Sequence, residues 1–103
     1  MFIDPDNPLA AEILQEAGEA YFAGCKMMVA ALEALRAFDN AVGLQLPDDE
    51  RAARRSQLLD DAAERAHFIL IQRDSMQLSG SETFLSDYGV PAEVIARMGQ
   101  RFK

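Results

Sequence analysis

The single histidine and single cysteine each sit in a setting where chemistry has to be considered. Glu64-Arg65-Ala66-His67 is a Glu-x-x-His, the spacing by which ferritin-like metal bundles turn two ligands inward from one helix. A dimer of helical hairpins would supply two copies, and such a site needs a further glutamate from each facing helix. With a turn centred near Gln45, residues 64–67 lie opposite roughly 24–27. Those positions are Gly24, Cys25, Lys26 and Met27, with no carboxylate among them. The expectation is therefore no metal and no cofactor, with Glu64 solvated and His67 at a boundary.

The other reactive residue types are placed no better for catalysis. Glu12, Glu16 and Glu19 share one helical face, but no nucleophile or second acid is positioned to work with them. Cys25 has neither a neighbouring histidine nor a helix N-terminus to activate its thiol, which predicts an inert core or interface residue. No glycine-rich phosphate loop, Ser-His-Asp arrangement or dinucleotide fingerprint occurs. The chain is expected not to be an enzyme. Met27, Met28, Met76 and Met98 are predicted to be mainly core, the alternative being a pliable partner groove.

One segment offers a different chemistry. Residues 82–98, with Gly89 at a turn between Phe84-Leu85 and Ile95-Met98, have the outline of a helix-turn-helix. Its second helix would then enter a DNA major groove. It carries Glu93 and Arg97, with Arg101 and Lys103 beyond, which is meagre charge for phosphate contacts.

Charge across the chain also disfavours nucleic acid. The net charge is −7, made up of −8 over residues 1–50, +1 over 51–78 and a balanced remainder. An acidic surface repels phosphate backbones and anionic headgroups. The stretch Ala20–Leu32 is interrupted by Lys26 and falls short of the roughly 20 apolar residues a membrane span requires. The start of the chain lacks the basic and apolar regions of a secretory signal. A lone thiol also forms no internal disulfide, so a cytoplasmic setting is expected.

The elements behind these residues are helices. Asn7 and Pro8 read as a cap and first helical position, opening a helix expected over 8–41. Ile13, Ala17, Ala20, Gly24, Met27, Ala31, Ala34 and Phe38 form a heptad seam of mostly small residues. Leu14, Tyr21, Cys25, Met28, Leu32, Leu35 and Val42 form a second stripe beside it. Such a helix is about 50 Å long and apolar over more than half its circumference. Gly43 closes it, and 43–47 form the turn.

A second helix is expected over 48–77, led by Asp48, Asp49 and Glu50, whose charge suits a helix N-terminus. Its inner face holds Ala52, Leu59, Ala62, Ala63, Ala66, Ile69, Leu70 and Met76; Arg51, Arg54, Arg55, Asp61, Glu64 and Arg65 lie mostly outside. From Ala66 to Ile71 the pattern is apolar all round, which implies more than one neighbour. Ser79-Gly80-Ser81 breaks it, and Ser81 caps a helix over 82–88 that Gly89 ends. Pro91 opens a last helix over 91–98.

The expected architecture is all-α and single-domain: a long antiparallel hairpin plus two short C-terminal helices. The short helices cover only part of the hairpin, so dimerisation into a four-helix bundle is predicted. Its interface would be Ile13, Ala17, Ala20, Gly24, Met27, Ala31 and Phe38. The monomeric alternative has the short helices folding back to complete the bundle.

Three segments, His67–Asp74, Asp87–Val94 and Ala96–Gly99, resemble an uncharacterised family of small all-helical bacterial proteins. The resemblance covers about the last third of the chain. It implies a helical fold and brings no activity, cofactor or site residue with it. The function expected is a dimeric helical protein-interaction protein, with self-association first and another protein partner second.

Overall fold

The computed structural model describes residues 10–41 and 45–101. Four helices follow in order: α1, Ala10–Asn40; α2, Asp48–Ser75; α3, Ser81–Asp87; and α4, Ala92–Arg101. Among the described residues there is no strand. The expected opening at Asn7-Pro8 and the closing Gly43 lie outside the described residues.

The two long helices form the hairpin. Arg55 of α2 meets Asp39 near the turn, Arg65 meets Met27 midway, and Arg73 meets Tyr21 towards the far end. That succession is antiparallel, in the register expected for 64–67 opposite 24–27.

The core is built from the second stripe of α1 more than from its seam. Cys25, Met28, Leu32 and Leu35 are buried against Leu58, Leu59, Ala62, Ala63, Ala66 and Ile69 of α2. Two corrections to the expected inner face of α2 follow. Ala52 is exposed, and Leu58 points inward instead. Gly24 permits the close approach of the two helices. A Cβ there would lie 2.6 Å from Ile69 Cδ1 and 2.9 Å from Gln72 Oε1.

The short helices pack on their own hairpin. Phe84 and Leu85 of α3 and Val90, Val94 and Met98 around α4 are buried in the same core, and α4 lies along α2. Pro91 offers its carbonyl to the amides of Val94 and Ile95, opening α4, which continues three residues past the expected Met98 to Arg101.

Two helix ends share one hydrogen-bond pattern. After α3, Gly89 at φ 66° lets its own amide reach Ser86 O and the Val90 amide reach Leu85 O, at 2.9 and 3.0 Å. This is a Schellman closure. After α2 the same two bonds run from Gln77 to Asp74 O and from Leu78 to Arg73 O, with Gln77 at φ 60°. The helix therefore ends at Ser75, before the Ser-Gly-Ser expected to break it. Gly80, not Ser81, stands at the N-cap of α3.

The molecule is a rod of 60 × 22 × 20 Å with a radius of gyration of 16.7 Å. A compact chain of this length would measure about 13 Å.

Candidate functional site: the open face of the hairpin

The hairpin has two sides, and α3 and α4 cover one. Arg36 of α1 donates Nη2 to Gly89 O at 3.3 Å, and three further polar ties hold them there. Arg55 donates Nε and Nη2 to Asp39 at 2.8 and 3.1 Å, and Nη1 and Nη2 to Glu93 at 2.6 and 3.0 Å. One guanidinium thus joins α1, α2 and α4. Its hydrogen bonds hold the carboxyls of Asp39 and Glu93 below their ordinary values, and the two carboxylates hold Arg55 firmly protonated. Arg97 of α4 donates to Asp60 at 2.9 Å and Ser56 at 3.3 Å.

Arg73 makes the third tie. It donates to Tyr21 Oη at 2.9 Å and Ser79 O at 2.6 Å, and its Cζ lies 4.5 Å from the Phe84 ring centroid. Its Nε is buried without an acceptor. Sequence reasoning placed Arg55 mostly outside and gave Arg73 no role; periodicity alone says nothing of a third helix that supplies their partners.

The other side of the hairpin is open. Ala20, Ala23, Gly24 and Met27 of α1 and Arg65, Phe68 and Gln72 of α2 line a groove of about 420 Å³. Phe68 is 53% exposed and Met27 48%. Both are large side chains that folding leaves half in water, at a cost of the order of 1 kcal/mol each relative to burial.

The expected interface residues divide here. Ala31 and Phe38 are buried within their own chain at 6% and 5% exposure, which corrects their assignment to a dimer face. They lie on the flank of the seam nearest the second stripe, and α2 takes that flank. Ala20 and Met27 are exposed, and Ala17 and Gly24 half-buried. The Ile13 side chain lies outside those described. Phe68 was not foreseen as a lining residue; the signal for it is the all-round apolar run from Ala66 to Ile71.

Apart from Met27, the remaining candidates do not line the groove. Glu64 is exposed and His67 half-buried, and no group of three or more His, Cys, Asp or Glu able to hold a metal occurs among the described residues. Glu12, Glu16 and Glu19 are exposed along α1, Glu19 accepting from Gln15 at 3.2 Å. Cys25 is a buried free thiol. The pKa of the Tyr88 hydroxyl is held above its ordinary value, first by its electrostatic interaction with Cys25 and then by desolvation. Met28 and Met98 are core, while Met27 lines the groove.

In the helix-turn-helix outline, Arg97 and Glu93 face α2 through their ion pairs. The outer surface of α4 carries Ala92, Ile95, Ala96 and Gly99 instead. This leaves no cation for phosphate on that helix among the described side chains.

No family model, curated protein or solved structure matches the chain. No helix of the described residues is long and apolar enough to cross a membrane.

Proposed function

We propose that this chain is a non-enzymatic helical protein-interaction protein that self-associates through the open face of its hairpin. The observation carrying this reading is the half-exposed Phe68–Met27 pair beside a shallow bed of alanines. An apolar face of this kind, on the side of the hairpin away from α3 and α4, supports an association surface. The small C-terminal pair seals one side of the hairpin, and a further pair of helices on the other completes a bundle. The lone buried thiol fits a cytoplasmic protein of this type.

The reading is tested by light scattering over a dilution series, for the natural chain and for Phe68→Glu. The natural chain is expected to dimerise at micromolar concentration. Phe68→Glu, which buries an unpaired carboxylate in any such contact, is expected to stay monomeric with unchanged helicity. A natural chain that remains a monomer throughout the series would falsify the proposal.

A further inference from the structure

Resting on that reading of the open face, we propose that its occupant is a second copy laid antiparallel, on a two-fold axis crossing the groove near Met27 and Phe68.

The size of the face suits a stable homodimer. The 28 residues of α2 give a length of about 42 Å, which with two helices about 20 Å across gives a footprint of about 800 Å², room enough for an interface of the standard size of about 800 Å² per partner.

A two-fold interface uses the same patch on both subunits, so the patch must be complementary to itself. The exposed stripe of α1 meets that condition about Met27. Ala20 and Ala34 stand seven residues to either side, both exposed, and Ala23 fills the turn between Ala20 and Met27. Two α1 helices running antiparallel set Ala20 of one against Ala34 of the other. The large side chains, Met27 and Phe68, gather at the crossing.

Charge selects this direction over the parallel one. At 1.5 Å per residue, Glu16 and Glu12 lie about 16 and 22 Å along the rod from Met27, and Arg54 lies about 21 Å from Phe68 towards the opposite end. The two-fold brings each Arg54 to the height of the other copy's Glu12 and Glu16. All three are exposed, and among the described residues Arg54 donates to the neutral Gln57, at 3.2 Å. Nearer the axis, Asp61 and Arg65 stand one turn apart on α2 and offset each other. A parallel pair would instead stack the two acidic ends, each with Glu12, Glu16 and Glu19.

Cross-linking decides it. With Cys25→Ala as background, Ala20→Cys and Ala34→Cys proteins are mixed and treated with a short bifunctional thiol reagent. The mixture is expected to give a covalent dimer, and Ala20→Cys alone none. As a second measurement, Arg54→Glu is expected to weaken dimerisation about tenfold, with Glu12→Arg and Glu16→Arg added to it restoring affinity. A sample that sediments as a dimer yet cross-links through Ala20→Cys alone, or not at all, overturns the arrangement and leaves the docking reading standing. Unchanged affinity in Arg54→Glu counts against it in the same way. A chain that is monomeric at every concentration removes both.

Discussion

At the scale of single residues, the structure turns on a few side chains whose work no pattern of hydrophobicity reveals. Gln77 is one. It holds a left-handed backbone at φ 60° to close α2, a conformation that favours glycine because a Cβ crowds the carbonyl. Gln77→Gly should therefore raise stability by about 0.5–1 kcal/mol, read as a higher midpoint in urea unfolding. Arg55 is another, since it binds carboxylates from two other helices at once. Those carboxyls are held below their ordinary values of 3.8 and 4.5. Lowered values mean that the stabilisation is fully present above that range and is lost as pH falls through the depressed ones. Arg55→Gln should melt a few degrees below the natural chain at neutral pH, with the gap closing under acid. The effect stays modest because both acids are well exposed. A gap that persists unchanged at pH 2 would mean that Arg55 acts through packing alone.

At the scale of elements, the helices themselves were legible and their partners were not. The heptad seam and the parallel stripe on α1 both read correctly as apolar, yet periodicity could not say which of them α2 would take. Gly24 and Ile69 decide it, because the close approach they permit draws α2 onto Met28, Leu32 and Leu35. Ala31 and Phe38 go inside with them, and Ala20 and Met27 stay out. For α4 the anchor is Val94, which is fully buried in the core where α4 lies along α2. Val94→Asp places an unpaired charge there and should release α4 from α2. Hydrogen exchange of residues 92–101 would then rise well above that of α2. Equal protection in the two helices would show that the ion pairs of Arg55 and Arg97 hold α4 without its apolar face.

At the scale of the whole molecule, the shape is an elongated rod with α3 and α4 packed on one side of the hairpin and the groove of Met27 and Phe68 on the other. On that side the chain's own tail packs back onto the hairpin, with Phe84, Leu85, Val94 and Met98 joining its core. The open side is what the dimer proposal rests on. The Phe68→Glu variant should scatter with a radius of gyration near the 16.7 Å of the single chain, while the natural chain should exceed it as concentration rises. The sequence by itself determined that the chain is all-helical and that its two long helices run antiparallel in the observed register, because both follow from spacing along one chain: the 3.6-residue period and the length between the apolar stripes. Only the tertiary structure decided which flank of α1 is consumed, where Arg55, Arg73 and Arg97 find their partners, and which apolar residues remain in water. Those depend on how closely two surfaces approach, and that distance is set by side chains far apart in the chain.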